Sequence, residues 1–407
     1  MISFDQAKSI VNKNIITLDT ELIYLIESGG RVIAEDIKAT FDMPRFNNSS
    51  MDGFAVRASD IEGASKKSPI TLKLVGGIAA GDPGNLSIGQ GECARCMTGA
   101  PIPHGADAIV IVEDTSGFED KNEVKIFAES FSGKNIRYKG EEISNDDILI
   151  KKNQLISASE IGILASFGYG KVLTYCTPKI AVFATGDELI EPGDVLKDGK
   201  IYNSNLYIFS ELVKQRGFKI TMKEVVNDSP ESLRTFLSEA LNNCDIIISS
   251  GGVSMGKYDY VRDIFMELGV KEHFWKVTQK PGKPLFFGTK SGKMIFGLPG
   301  NPVSSFLGFM VWVWPVFDRL MRVQKSQWIT ARLESSFPRE PIKTRFLFGK
   351  LFIKKGNLRC IPSSKLGSHM LSSALDANCI IKADPGQGDI QKGKNILVKL
   401  LPWKNIL

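Results

Sequence analysis

Residues 245–259 place a turn of small residues and a carboxylate directly after a short apolar run. The run at 246–248 consists of isoleucines, which predicts a strand buried on both faces of a parallel sheet. Glycines in the turn lack a Cβ atom, so backbone N–H groups could approach an oxyanion closely. A helix beginning at Tyr260 would add its dipole, although such a turn could also simply join strand to helix. The candidate residues of this turn are Gly251, Gly252, Ser254 and Asp259.

The same arrangement follows two further apolar runs. Residues 179–185 lead into the adjacent carboxylates Asp187 and Glu188, and residues 294–297 lead into Leu-Pro-Gly-Asn-Pro at 298–302. In open α/β sheets, ligands bind in the crevice at the carboxyl ends of the strands. We therefore expect the three turns to converge on one site.

A lysine-rich loop at 275–284 lies in the sequence between the turn at Gly251 and the turn at Gly300. A run of positive charge usually forms a solvated face, but the prolines and glycine around these lysines indicate a shaped loop. Ammonium groups in such a loop could hold phosphate groups. The three lysines are Lys276, Lys280 and Lys283.

The composition is that of a globular protein with more than one domain. Of the 407 residues, 43% are hydrophobic, and the net charge is +6, which does not indicate nucleic-acid binding. The most apolar segment, 303–317, is interrupted by polar residues, glycine and proline, and predicts a buried helix rather than a membrane span. The first residues contain Asp5 and no apolar core, unlike a secretory signal. We therefore expect a cytoplasmic protein with no nucleic-acid or membrane partner.

The six cysteines lack the dense spacing of a disulfide scaffold, so we expect free thiols. Cys93 and Cys96 have the spacing of a redox or zinc pair, but no second pair or histidine cluster accompanies them. Core positions in a strand are the better interpretation of both.

The pattern of apolar residues changes along the chain. Residues 1–40 show helical spacing twice, the second time around 22–26, and predict an α-helical start. Short alternating runs between glycines and prolines then predict β structure, and residues 157–167 predict a capped helix. From 177 onwards strands and helices alternate as in a parallel α/β domain, and strands return after Trp328. The predicted domains are an elongated helical and linker domain (1–40 and 140–176), a β-rich domain (41–139), an α/β domain (177–326) and a C-terminal β domain (327–407).

Eight motifs, in order along the chain, resemble those of the molybdopterin molybdenumtransferase (MoeA) family. The resemblance covers nearly the whole chain. Glu142 departs from the family pattern, in which an aspartate commonly follows Gly-Glu. The motifs lie at 48–56, 97–101, 140–143, 185–189, 249–259, 280–284, 297–302 and 367–369.

The resemblance implies a fold and an assembly. The family has an elongated subunit with a three-layer, parallel α/β domain of the molybdopterin-binding kind and a small C-terminal β barrel. Its subunits form a homodimer, and the active site lies between the α/β domain of one subunit and the β-rich domain of the other. This would explain why Asp52 and Thr98 occupy motif positions outside the α/β domain.

The implied reaction takes adenylated molybdopterin and molybdate, releases AMP, and leaves molybdenum on the pterin dithiolene with help from Mg²⁺ or Zn²⁺. N–H donors and ammonium groups suit phosphates, and carboxylate oxygens suit a divalent cation. Transient contacts with other proteins of molybdenum cofactor biosynthesis are also expected. The implied catalytic residues are Glu188, Asp259, Asp52 and Asp228, and the implied metal ligands are Asp187, Glu188 and Asp259. The implied substrate contacts are Thr98, Arg137, Gly251, Gly252, Ser254, Lys276, Lys280, Lys283, Pro299, Pro302 and Ser368.

Two other functions remain open at this point. A related domain clusters membrane receptors through a peptide groove, so the chain could be a non-catalytic, molybdopterin-binding scaffold for a partner peptide. The sequence contains no peptide-recognition motif and no long linker that would favour this. An enzyme that adenylates molybdopterin with ATP resembles the α/β domain alone, and the additional domains argue against that step.

Overall fold

The structure, a computed structural model, describes residues 1–120, 122–253, 260–322 and 327–406. The chain divides into two compact units. The main unit comprises Met1–Ala34, Asn153–Ser157 and Lys171–Leu407, and the second unit comprises Glu35–Lys152 and Ala158–Gly170.

A six-stranded sheet forms the centre of the α/β part of the main unit. Four neighbouring strands are parallel, which confirms the strands predicted from the three apolar runs. The last two strands are antiparallel and complete one edge. In spatial order the strands are Ile220–Val226, Ile180–Thr185, Ile246–Ser250, Lys293–Leu298, Phe286–Lys290 and Lys271–Trp275.

Helices cover both faces of this sheet, because alternate residues of its buried strands point to opposite sides. Val182 and Ile248 belong to one apolar cluster, while Phe183 and Ile247 belong to another. The first cluster includes residues of Asn205–Gln215, Pro302–Gly308 and Trp314–Leu320. The second includes residues of Pro230–Asn243 and Tyr260–Glu267. The result is the predicted three-layer α/β arrangement.

The apolar segment 303–317 is helical and buried, as predicted. Its helix Pro302–Gly308 runs into a π turn at Phe309–Val313 and then into Trp314–Leu320. Pro315 lies in the first turn of the last helix, where a missing N–H is tolerated. Within the ranges that the structure describes, no helix has the length and apolar character needed to cross a bilayer.

The N-terminal segment is only half helical. The helix Phe4–Lys13 begins with a capping box, in which Ser3 and Gln6 bond each other's backbone N–H groups. The prediction of a second helix around 22–26 was wrong, since Thr20–Tyr24 is a strand followed by a 3₁₀ turn at Leu25–Glu27. The strand pairs antiparallel with Lys171–Tyr175, far away in sequence. A short apolar segment is compatible with either a helix or a strand. Here the pairing with a distant strand decides the outcome.

The C-terminal part of the main unit is a closed five-stranded barrel. It closes because the strand Thr344–Lys354 also pairs with Cys379–Ala383, the last strand in the order of the sheet. Leu351, Ile381 and Val398 lie in its core. The short strand Gln279–Lys280, from the lysine-rich loop, adds to the edge of Thr344–Lys354. The barrel strands in spatial order are Thr344–Lys354, Asn357–Pro362, Ile329–Leu333, Asn395–Leu400 and Cys379–Ala383.

The second unit is built on a five-stranded sheet with a core of its own. Cys93 and Cys96 are fully buried within the strand Glu92–Cys96, and burial raises the pKa of their thiols to about 12 and about 11. All six cysteines are free, which confirms both cysteine predictions. The strands in spatial order are Ala108–Ile111, Gly53–Val56, Glu92–Cys96, Ser65–Ile78 and Glu123–Ala128.

Shorter elements complete both units. The second unit also holds the helix Ala158–Ser166, as predicted from the capping pattern at 157–160. The paired short strands are Ile37–Lys38 with Ile148–Ile150, Asn48–Ser49 with Ile136–Arg137, Leu189–Ile190 with Ile201–Tyr202, and Phe337–Pro338 with Asp389–Ile390. Further 3₁₀ turns lie at Ala58–Ile61, Val112–Asp114 and Leu371–Ala374.

A buried charge cluster joins the α/β part to the barrel. Arg216 lies 3.1 Å from Asp318, and both are nearly enclosed. Lys399, on a barrel strand, is also buried and attracts Asp318. Burial raises the pKa of Asp318 in spite of these two cations. The carboxylate therefore balances two buried positive charges.

The substitution Asp318→Asn should lower the free energy of unfolding by about 3–5 kcal/mol, because it leaves buried cations without their counter-charge. Urea unfolding followed by tryptophan fluorescence measures the loss. Asp263→Asn is the matched control, since Asp263 is exposed and lies 3.9 Å from Arg262, a pair expected to contribute less than about 1 kcal/mol. Equal losses in the two variants would contradict the role given to Asp318.

Candidate functional site

The three turns predicted to converge do meet at one edge of the sheet. The N–H of Gly251 donates to the carbonyl of Leu298 at 3.0 Å. The side-chain amide of Asn205 donates to the Ser250 hydroxyl at 2.8 Å and to the Gly300 carbonyl at 2.7 Å. Asn205 thus joins the end of the strand Ile246–Ser250 to the turn that follows the neighbouring strand Lys293–Leu298.

Close packing explains the glycines in the central turn. A Cβ atom on Gly251 would lie 2.7 Å from the carbonyl oxygen of Thr185, and its φ is +92°. Gly252 has φ +68° and lies against the side chain of Val261. Both positions require a residue without a side chain. The backbone of this turn is therefore held tightly against the neighbouring strand end.

A cavity of about 960 Å³ opens between these strand ends and the barrel, within the main unit. This volume suits a ligand of nucleotide size. Six of the predicted site residues line the cavity, namely Glu188, Lys280, Lys283, Pro299, Pro302 and Ser368. The loop of Ser368 is tied to the turn after Pro302, because the N–H of Val303 donates to the Ser368 carbonyl at 3.0 Å.

The carboxylate of Glu188 folds back over the turn that carries it. A Cβ atom at Gly186 would lie 2.7 Å from one carboxylate oxygen of Glu188, so only glycine leaves room for this conformation. Among the described residues that line the cavity, Glu188 is the acidic one, and the basic ones are Lys280, Lys283, Lys343, Arg345 and Lys365.

Two other predicted acids lie together at the neighbouring strand ends. Thr185 donates its hydroxyl to the carboxylate of Asp228, and the N–H of Asp228 donates to Asp187 at 3.3 Å. The cavity lining, so far as the structure describes it, includes neither Asp187 nor Asp228. Asp259 and Ser254 lie outside the described residues.

The carboxylates at this edge supply the hard oxygen ligands that Mg²⁺ prefers. Across residues 1–120, 122–253, 260–322 and 327–406, no three His, Cys, Asp or Glu side chains are grouped closely enough to hold a metal. A complete cation site would therefore need a further ligand or a small rearrangement.

The three lysines of the lysine-rich loop have different surroundings. Lys280 lines the cavity and forms an ion pair with Glu340 at 2.5 Å, and its hydrogen bond lowers the pKa of Glu340. Lys283 also lines the cavity. The ammonium group of Lys276 lies 3.7 Å from the ring centroid of Trp275, a cation–π contact. The structure thus places two of the three ammonium groups in the cavity wall.

Sequence reasoning missed three residues that shape the site, of which Asn205 and Arg345 line the cavity. Asn205 is buried, and its side-chain oxygen has no hydrogen-bond partner. Arg345 is buried in the lining, and burial lowers the pKa of its guanidinium. Trp275 donates its indole N–H to the carbonyl of Val253 at 2.7 Å and so holds the start of the central turn. The Asn-Ser-Asn run at 203–205 is a helix-start signal that could have drawn attention to Asn205.

The remaining predicted residues lie in the second unit. The backbone N–H and the hydroxyl of Thr98 both donate to the same oxygen of Asp52, each at 2.7 Å. These bonds, the backbone one first, lower the pKa of Asp52. Arg137 is exposed at a short strand that pairs with Asn48–Ser49. Asp52 and Thr98 thus form a preorganised, exposed acidic turn.

The fold and the cavity define a multidomain α/β protein with a cavity rich in basic residues at the carboxyl ends of parallel strands. Residues 2–168 match the MoeA N-terminal region (domain I and II), residues 181–319 match a probable molybdopterin binding domain, and residues 330–401 match the MoeA C-terminal region (domain IV). The chain belongs to the molybdopterin molybdenumtransferase (MoeA) family.

Relatives and solved structures agree over nearly the full length. A molybdopterin molybdenumtransferase of Staphylococcus epidermidis is 36% identical over 407 residues, covering 99% of this chain and 96% of its own. One from Staphylococcus aureus is 35% identical, covering 95% and 92%. The crystal structure of a molybdopterin biosynthesis MoeA protein from Pyrococcus horikosii has a TM-score of 0.84 at 30% identity, covering 98% of this chain and 99% of the other.

Replacing Asn205 by alanine should lower the free energy of unfolding by roughly 1–3 kcal/mol, because a buried and a partly buried hydrogen bond are lost. The free energy of urea unfolding measures this effect. Asn242→Ala, at an exposed helical position, should change it by no more than about 0.5 kcal/mol. If the Asn205 and Asn242 variants unfolded alike, Asn205 would not tie the turns together.

Thr98→Val should raise the pKa of Asp52 towards its ordinary value, because the hydroxyl donor is lost. The pKa should remain below that value, since the larger contribution comes from the backbone N–H, which valine keeps. The pKa of Asp52 is lower in the folded chain than in the unfolded chain, so its ionised carboxylate stabilises the fold at pH values above the unfolded pKa. This stabilisation is lost as the pH falls through the pKa of the folded chain. NMR titration of the Asp52 carboxyl carbon measures the change, with the exposed Thr71→Val as control. An unchanged pKa would show that the hydroxyl does not contribute.

Proposed function

We propose that the chain inserts molybdenum from molybdate into adenylated molybdopterin and releases AMP, a step of molybdenum cofactor biosynthesis. The observation that carries this proposal is the cavity at the strand ends, whose lining combines the Gly300 turn, two lysines of the lysine-rich loop and the Glu188 carboxylate. The curated relatives named molybdopterin molybdenumtransferase support it.

The residues of the cavity suit each part of this reaction. Lys280, Lys283 and Arg345 would hold the two phosphate groups, because cations and fixed donors stabilise their negative charge. Water would attack the phosphorus of the AMP group and form a new P–O bond there, while the bond from that phosphorus to the bridging oxygen breaks. AMP then carries the water oxygen, the bridging oxygen stays on the molybdopterin phosphate, and a carboxylate can orient the water and accept its proton. We assign this role to Glu188, because its carboxylate belongs to a residue that lines the cavity.

A divalent cation, Mg²⁺ or Zn²⁺, is part of the proposal. Asp187, Glu188 and Asp259 would hold it through carboxylate oxygens, and Asp228 lies beside Asp187 to support them. When bound, the cation would neutralise charge on the phosphoanhydride.

The acidic turn of Asp52 and Thr98 is proposed to complete the site from a second copy of the chain. Both groups are exposed and hydrogen-bonded to each other, yet they belong to the second unit and not to the unit with the cavity. A homodimer in which each site takes residues from both subunits would use them. We propose that this enzyme is cytoplasmic and passes its product to other proteins of the same pathway.

Release of AMP tests the proposed reaction. Purified protein with adenylated molybdopterin and Mg²⁺ should form AMP faster when molybdate is added, as measured by chromatography. Molybdopterin with ATP and no adenylate is the control for the preceding step. A rate of AMP formation that does not change when molybdate is added would contradict the assignment.

Glu188→Gln should slow molybdate-dependent AMP formation by about 10²-fold or more, because it removes a carboxylate from the reacting region while keeping its shape. Single-turnover kinetics with bound adenylate measure the chemical step. Glu239→Gln, on the exposed face of the helix Pro230–Asn243, should leave the rate unchanged. A rate close to wild type in the Glu188 variant would remove its proposed role.

Mixing two inactive variants tests the shared site. Co-expressed Asp52→Asn and Glu188→Gln chains should recover roughly a quarter of wild-type activity, because mixed dimers each contain one intact site. Each variant expressed alone provides the baseline. Activity that stays at that baseline in the mixture would contradict a site built from two subunits.

A further inference from the structure

The chain makes an exposed excursion directly after Glu188 and then returns to it. The turn sequences Pro-Gly at 192–193 and Asp-Gly at 198–199 reverse the chain twice. The short strands on either side, Leu189–Ile190 and Ile201–Tyr202, therefore lie next to each other and pair in parallel. We refer to residues 191–200, between these strands, as the strap.

The far end of the strap is bonded to the turn that carries the carboxylates, residues 186–188. The Lys200 ammonium donates to the backbone carbonyl of Asp187 at 2.6 Å. The N–H of Ile201 donates to the backbone carbonyl of Glu188 at 2.9 Å. A peptide group whose carbonyl is bonded is held in one orientation. These two donors therefore fix the direction in which both carboxylate side chains leave the backbone.

The near end of the strap is bonded to a helix. The carboxylate of Glu191 accepts the Tyr207 hydroxyl at 2.8 Å and the Asn203 side-chain amide at 3.2 Å. Tyr207 belongs to the helix Asn205–Gln215, whose first residue joins two other turns of the site. Residues 192–199 are exposed, whereas Glu191 and Lys200 are only partly exposed. The strap is thus held at its two ends, and both attachments lead to the site.

Lys200 has no place in the wall of the cavity. The described lining of the cavity includes Leu189, Ile201 and Tyr202 but not Lys200. Its ammonium group instead meets the backbone behind the carboxylates. An effect of Lys200 on a ligand in the cavity would therefore be indirect, through the turn at 186–188.

We propose that the strap holds the Glu188 carboxylate in its working orientation, with Lys200 as the positioning residue. The reaction in question is that of the proposed function, on which this role rests, whereas the attachment of the strap rests on the hydrogen bonds alone. A displacement of a reacting group by about 1 Å can slow a reaction about 100-fold. Lys200 should therefore affect the chemical step and leave substrate binding nearly unchanged.

Kinetics of molybdate-dependent AMP release test the positioning role. Lys200→Met should lower kcat about tenfold or more and change the KM for the adenylate less than about twofold, because the lost donor orients the turn and does not contact the cavity. Lys200→Arg keeps a cationic donor and should recover most of the rate. Lys197→Met removes an exposed charge from the middle of the strap and should match wild type. Thermal melting checks that each variant is folded.

Amide hydrogen exchange, followed by NMR without any substrate, tests the attachment separately from activity. Lys200→Met should speed exchange of the Ile201 N–H several-fold, because the strap opens more often, whereas Lys200→Arg and Lys197→Met should not. Faster exchange in a protein that never releases AMP would support the attachment and contradict the proposed function. Unchanged exchange with a wild-type kcat would overturn the inference. A rise in KM alone, or an arginine variant as slow as the methionine variant, would overturn the positioning role.

Discussion

The site depends on the constraint that parallel neighbours in a sheet end at the same edge. The strands Ile180–Thr185, Ile246–Ser250 and Lys293–Leu298 are adjacent and parallel, so the turns after them must share one space. Glycines allow the turns to approach closely, and Asn205 bonds two of them together. The cavity at this edge is lined by residues from the ends of all three strands, among them Thr185, Ser250 and Pro299.

The barrel closes the other side of the same space. Gln279 is buried between the two parts, accepts the Trp312 indole N–H at 3.0 Å and donates to the Gly282 carbonyl at 2.8 Å. Its strand pairs with the barrel at Thr344. The shape of the lysine-rich loop therefore follows from both the helical layer and the barrel. The buried charges of Arg216, Asp318 and Lys399 further hold the barrel in place.

The sequence predicts those features that depend on local chemistry. Apolar runs before small-residue turns identified three of the four parallel strands, and their shared edge followed from the rules for α/β sheets. Features that depend on contacts between distant parts of the chain could not be predicted from the sequence. The strand Thr20–Tyr24 is defined by its pairing with Lys171–Tyr175. The ammonium group of Lys276 contacts the ring of Trp275. Asn205 acts through the Ser250 hydroxyl and the Gly300 carbonyl, which only the folded chain brings near. The roles of Asp259 and Ser254 remain predictions.

A crystal structure of the chain with adenylated molybdopterin tests the central claim most directly. The account predicts density for both phosphate groups in the cavity between the strand ends and the barrel, with Lys280 or Lys283 and the Gly300 turn in contact. Phosphates bound on any other surface, with this cavity holding only solvent, would contradict it.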